Sequence, residues 1–142
     1  MTVTPNAGYS GKPLADKLGL KAGQRALLVG VSDDVGATLG AALAAVLRLP
    51  RLAPFDFALA FVASRVALAD TLDRLEPKLV DTGMLWIGWP KKASGVSTDL
   101  TEDAVRAAAL ARGLVDVKVC AIDATWSGLK LMRRRERRGG SR

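Results

Sequence analysis

The stretch Phe-Asp-Phe-Ala-Leu-Ala-Phe-Val-Ala at residues 55–63 constrains the fold more than any other part of this chain. Apart from Asp56 it is apolar throughout, with no alternation of polar and apolar side chains. A strand with one wet face alternates; a strand covered on both faces does not. The run is also far shorter than the roughly 20 residues that span a membrane. It therefore reads as a central strand of a parallel sheet, with helices packed on both sides.

The flanking patterns supply those helices. Ser64 stands where an N-cap belongs, and Leu68, Leu72, Leu75 and Leu79 recur at helical spacing until Pro77 bends or ends the helix. Upstream, residues 1–13 hold Pro5, Gly8, Gly11 and Pro13 and read as an irregular arm. A short helix is expected over 14–20 and a buried strand over 25–30. Ser32 or Asp33 caps a helix predicted from about 34 to 47, with Leu39, Leu43, Val46 and Leu47 on one face. Pro50 and Pro54 limit residues 48–54 to an edge strand at most. Downstream, 84–89 reads as a strand closed by Pro90, and 91–99 as a polar loop. A helix follows over about 101–112, with Glu102 and Asp103 in its first turn and Gly113 at its stop. In 114–122, Val115, Val117, Val119 and Ala121 alternate with Asp116, Lys118 and Cys120. A turn over 123–128 and a strand over 129–133 complete an antiparallel hairpin. The order of elements predicts one α/β domain over 1–133, a three-layer Rossmann-like fold with a mainly parallel sheet and a C-terminal antiparallel hairpin. Residues 134–142 are expected to be a disordered basic tail.

Composition removes several chemistries. The 142 residues include no histidine and a single cysteine, Cys120. Histidine triads, histidine general bases, multi-cysteine metal sites and intrachain disulfides are excluded, and no metal is expected. The net charge of +7 is uneven: residues 121–142 hold seven basic and two acidic residues. Arg133, Arg134, Arg135, Arg137 and Arg138 are the candidates for nucleic-acid contact, against the simpler reading of a solvated end. Residues 1–11 have no apolar core and are not expected to act as a signal peptide. A cytoplasmic protein without a membrane span is expected.

Two resemblances add to this reading. The element order resembles the class I methyltransferase form of the Rossmann fold, which ends in strand, helix, strand, helix and an antiparallel hairpin. Lys21-Ala22-Gly23-Gln24-Arg25-Ala26-Leu27-Leu28-Val29-Gly30 resembles the lead-in to that family's cofactor strand. Residues 75–87, with Pro77 and Gly83, resemble the turn before its fifth strand. The chain departs from the family after Gly30, where Val31-Ser32-Asp33-Asp34-Val35 lacks the further glycines that let a cofactor approach the backbone. It is also shorter by about one strand-helix unit. A second resemblance is to small bacterial proteins grouped as Domain of Unknown Function 3052. It rests on Gly8-Tyr9-Ser10-Gly11-Lys12-Pro13-Leu14-Ala15, on Trp89-Pro90-Lys91-Lys92-Ala93-Ser94-Gly95-Val96 with Thr98-Asp99-Leu100-Thr101-Glu102, and on residues 113–119 and 126–130. That resemblance implies bacterial origin and carries no catalytic residue.

In an open parallel sheet, ligands bind beyond the carboxyl ends of the strands. This selects Ser32, Asp33 and Asp34, then Ser64 and Arg65, then the loop from Trp89 to Asp99. Arg65, Lys91 and Lys92 with Ser94 and Gly95 can form an anion site, or they are solvated loop residues. Asp33 and Asp34 can act as bases or hold Mg²⁺ through waters, or simply complement a helix dipole. Trp89 and Trp126 can stack on a flat ligand or cover the core. Cys120 lies in a strand pattern and reads as a packed thiol. The expected function is non-catalytic: binding of a small anionic or nucleotide-like ligand, or of a protein partner. The alternatives are a divergent S-adenosylmethionine-binding, methyltransferase-like protein and a nucleic-acid binder acting through the tail. No cofactor is expected, and S-adenosylmethionine is the one to test. The oligomeric state stays open.

Overall fold

A computed structural model describes residues 13–137. The strands are β1 (Arg25–Val29), β2 (Leu47–Arg48), β3 (Phe55–Phe61), β4 (Leu79–Pro90), β5 (Leu114–Ala121) and β6 (Trp126–Arg133). The helices are α1 (Leu14–Leu18), α2 (Asp33–Leu39), α3 (Ala41–Ala44), α4 (Arg65–Leu75) and α5 (Glu102–Leu110). One six-stranded sheet has the order β2-β1-β3-β4-β6-β5. The first four strands in that order are parallel, and β6 runs antiparallel to both of its neighbours. The predicted α/β architecture with a terminal hairpin is the one observed.

β3 is central and buried except for half-buried Asp56. Its two faces differ in side-chain size. Ala58 and Ala60 lie under Leu68 and Leu72 of α4 and Val105 and Ala109 of α5. Phe57, Leu59 and Phe61 lie under Leu14 and Leu18 of α1 and Val35 and Leu39 of α2. Small residues bring the longer helices close to the sheet, while large ones fill the space beneath the shorter helices. Trp86 is fully buried on the second face, and its indole N–H donates to Leu18 O at 2.7 Å. That bond lets a polar ring sit in the core without an unmet donor.

The single helix expected over 34–47 is broken. Gly40 takes φ +45° and ends α2, and a Cβ there would meet Ala37 O at 3.2 Å. Residues 41–44 add one further turn, and 47–48 pair with β1 as the edge strand β2. Leu47 is 60% exposed instead of sharing a helical core face. β4 starts five residues before the expected 84: Leu79 pairs with Phe55, and a register shift follows before Phe57 meets Met84. Asp81 and Thr82 in that irregular stretch hid the strand from a hydrophobic pattern. In β5 the pairing shifts between Asp116 and Lys118, so the valine alternation does not make one continuous face. Val117 and Val119 are about half exposed on this edge strand.

The chain passes from β1 outward to β2 and returns on the other side of β1 as β3. The strand order therefore reverses between β1 and β3, and their carboxyl ends flank a crevice.

Candidate functional site

Three segments meet the carboxyl edge of the sheet. The first is the turn from β1 into α2. Gly30 has φ +65°, and a Cβ on it would stand 3.3 Å from Phe61 O at the end of β3. The two strand ends thus approach each other where no side chain intervenes. Ser32 Oγ accepts from Val35 N at 3.2 Å and caps α2. Asp33 and Asp34 are exposed in the first turn of that helix. Their placement complements the helix dipole and also leaves both carboxylates open to solvent at the crevice.

The second segment joins β3 to α4. Ser64 Oγ accepts from Ala67 N at 3.1 Å, an N-cap that satisfies one of the helix's open donors. Arg65 is turned to Asp99 and does not line the groove bordered by Lys91 and Lys92. Its backbone N–H donates to Asp99 Oδ1 at 2.8 Å, and its Nε donates to Asp99 O at 3.0 Å. An internal carboxylate thus meets the first backbone N–H of α4.

The third segment, residues 91–101, crosses from β4 to α5. Ser94 Oγ donates to Lys91 O at 2.6 Å and accepts from Val96 N at 3.2 Å. With Gly95 at φ +79° this is a self-contained turn that closes on its own backbone. Thr98 Oγ1 donates to Ala63 O at 2.6 Å and accepts from Leu100 N at 3.1 Å. Lys91 and Lys92 line a groove of about 480 Å³, which faces Glu102 and Asp103 at the start of α5. Those two carboxylates each accept from Arg106. The walls are of mixed sign, which disfavours a dedicated anion pocket.

The two tryptophans cannot enclose one ligand. Trp89 is buried on the α4–α5 face and lies beside this groove. Trp126 packs on the opposite face, where its ring stacks on Phe61 with centroids 4.3 Å apart. Thr98 and Asp99 were missed as contacts of β3 and α4. Asp99 and Arg65 are 34 residues apart, and nothing local in the sequence signals their meeting.

Arg133 is not a tail residue. It is buried, and its guanidinium donates to Glu76 Oε2 at 2.7 Å, Glu76 O at 2.8 Å and Leu79 O at 2.7 Å. It fastens β6 to the start of β4, so its charge serves the fold. Arg134 and Arg135 are exposed, and residues 135–137 form a 3-10 turn. Arg138 and the arm with Tyr9 lie outside the described residues. Burial pushes the Cys120 thiol up from its ordinary value, against the opposing pull of Lys17, Lys118 and Lys91. A thiol so placed is little ionised and a poor nucleophile. Among the described residues no helix is long and apolar enough to cross a membrane.

No protein-family model matches the sequence, and no curated protein matches it. Solved structures do match the fold. Magnesium protoporphyrin IX methyltransferase from Synechocystis, with S-adenosylhomocysteine bound, superposes with a TM-score of 0.58 at 10% identity, over 84% of this chain and 78% of that one. Fibrillarin from Aeropyrum pernix, with natively bound S-adenosylmethionine, gives 0.57 at 14% identity, over 84% and 73%. The ribosomal protein L11 methylase from Lactobacillus delbrueckii subsp. bulgaricus gives 0.54 at 14% identity, over 85% and 75%. The fold is therefore a methyltransferase-like Rossmann fold with a six-stranded mixed sheet. This finding corrects the expectation of a non-catalytic binding domain, which rested on the missing glycines after Gly30. Magnesium protoporphyrin IX methyltransferase and the ribosomal protein L11 methylase share the fold across most of both chains, and the first of these and fibrillarin hold S-adenosylhomocysteine and S-adenosylmethionine, which favours the alternative stated beside it.

Proposed function

We propose that this chain is an S-adenosylmethionine-binding, methyltransferase-like protein, with the cofactor in the crevice between the carboxyl ends of β1 and β3. The observation that carries the reading is the reversal of strand order at that crevice, in a fold shared with a methyltransferase that holds the cofactor or its demethylated product. When bound, the cofactor supplies an electrophilic methyl group on a sulfonium centre.

The donor set fits such a group. S-adenosylmethionine carries positive charge and two ribose hydroxyls. The exposed carboxylates of Asp33 and Asp34 can accept hydrogen bonds from hydroxyl or ammonium groups and offset the positive charge. Gly30 keeps the turn out of β1 free of a side chain. No acid follows the two-residue β2, which ends at Arg48, so Asp33 and Asp34 are the carboxylates assigned to the ribose or the amino group. Membership of the bacterial family grouped as Domain of Unknown Function 3052 belongs to the same proposal, supported by the phrases running from Trp89 to Glu102 and from Trp126 to Lys130. A cytoplasmic location fits the single, buried cysteine.

Calorimetric titration of the full chain with S-adenosylmethionine and S-adenosylhomocysteine tests the reading. Micromolar binding, about −8 kcal/mol, is expected at near-physiological salt. The double variant Asp33→Asn, Asp34→Asn should weaken it by about tenfold, roughly 1.4 kcal/mol, with a fall in Tm of only a few degrees from the lost helix-dipole complement. Absence of both heat and thermal stabilisation with either compound would reject the proposal.

A further inference from the structure

We propose that residues 92–97 form a strap over the carboxyl end of the sheet, and that Thr98 and Asp99 are its latch. The inference goes beyond the cofactor reading and draws on it only for the ligand used in the second arm of the test.

The loop is fastened at its ends and loose between them. Its first residue is tied down by Lys91 N donating to Thr125 O at 2.8 Å, in the hairpin turn. Its last residues are tied by Thr98 to Ala63 O, by Asp99 to Arg65, and by the buried side chain of Leu100. Between these points the hydrogen bonds of 92–97 close on the loop itself, through Ser94 and the Lys91–Gly95 turn. Lys92, Ala93, Gly95, Val96 and Ser97 are exposed. Val96 is the largest apolar side chain of the loop and is 43% exposed.

Two further features mark this as a moving part. Lys91 and Lys92 at one neck of the loop and Leu100 and Thr101 at the other border the groove of about 480 Å³. The groove therefore opens between the two necks of the loop, where the strap can close. The latch also grips the end of β3 and the start of α4, one wall of the crevice at which strand order reverses. A ligand that presses on Ala63 or Ser64 acts directly on the latch. The strap then has two positions, and the ligand biases them through the Thr98 hydroxyl and the Asp99 carboxylate. In the closed position Val96 is the side chain available to cover an apolar part of the ligand.

Hydrogen exchange followed by mass spectrometry on the full chain tests this without needing turnover. In the free protein, Thr98→Val should speed exchange over 92–97 by about tenfold and leave β3, α4 and α5 unchanged. Asp99→Asn, which keeps the shape of the side chain, should do the same to a smaller degree. Unchanged exchange in the loop, or acceleration spread through α4 and α5, would overturn the strap. In the second arm, S-adenosylhomocysteine should slow exchange over 92–97 in the parent chain, and Thr98→Val should shift its Kd by about tenfold. Binding that neither variant alters would overturn the coupling. If the parent chain does not bind this compound, the cofactor reading fails, and exchange in the free chain still decides the strap.

Discussion

The two ends of the sheet are held by different chemistry. At the amino end, planar guanidinium groups clamp the strands. Arg25 Nε and Nη2 donate to the two carboxylate oxygens of Asp56 at 3.0 and 3.1 Å, and Arg25 N adds a third bond at 2.8 Å. Arg133 grips Glu76 and Leu79 at the same end. At the carboxyl end most ties are small: hydroxyl caps at Ser32, Ser64 and Thr101, one hydroxyl on a carbonyl at Thr98, and Asp99, which accepts from Arg65 N and Nε; the Arg106 guanidinium there holds Glu102 and Asp103 of its own helix without clamping two parallel strands. Several charge-assisted bonds sharing one rigid guanidinium plane are hard to exchange one at a time. Single bonds from small side chains exchange readily with water or ligand. The amino end anchors the sheet, and the carboxyl end is left free to respond.

Arg133→Met should separate the two ends most sharply. It leaves Glu76 and two carbonyls without their donor, and a loss of about 3–5 kcal/mol is expected. The urea midpoint measures it; a loss below about 1 kcal/mol would remove the contrast between the ends. Gly88→Ala probes the interior between them. Its Cβ would lie 2.7 Å from Phe61 Cδ1, in the ring that stacks on Trp126. Overpacking of about 1–3 kcal/mol is expected, with a changed near-ultraviolet circular dichroism spectrum. Ser64→Ala at the carboxyl end should cost about 1 kcal/mol, the worth of one N-cap, read from thermal melts.

The smallest effect is a pH dependence at the amino end. The hydrogen bonds from Arg25 hold the Asp56 carboxyl below its ordinary value. A carboxylate whose folded pKa is depressed stabilises the fold fully above its unfolded pKa, about 4, and loses that contribution as pH falls through the folded value. Arg25 stays charged throughout. Asp56→Asn should therefore flatten the fall in Tm between about pH 4 and the lower folded pKa, while leaving the slope near neutrality unchanged. The pair is partly open to solvent, so the difference will be modest and smaller at high salt.

Much of the fold was legible from residue patterns. The non-alternating run at 55–63 is the central strand, and the leucine spacing after Ser64 is α4, with the cap and end expected. Gly113 stands at the expected stop with φ +81°. The break in 34–47 was hidden because an Ala- and Leu-rich run reads as helix, while a single backbone angle at Gly40 ends it. The first part of β4 was hidden because its pairing is irregular and its residues polar.

The candidate site was legible only in outline. Sequence order alone placed Ser32 to Asp34, Ser64 to Arg65 and 91–99 at one edge, because a parallel sheet sends every such loop to the same side. Hydrophobic period and punctuation are local quantities, so the chain by itself determined the elements, their order and that shared edge. Which charges meet there was decided in three dimensions. Asp99 reaches Arg65 across 34 residues, Arg133 turns inward to Glu76 and Leu79, and Trp89 and Trp126 end on opposite faces. Each of these depends on how separate elements pack and register, and pairings across that distance leave no trace in the spacing of neighbours.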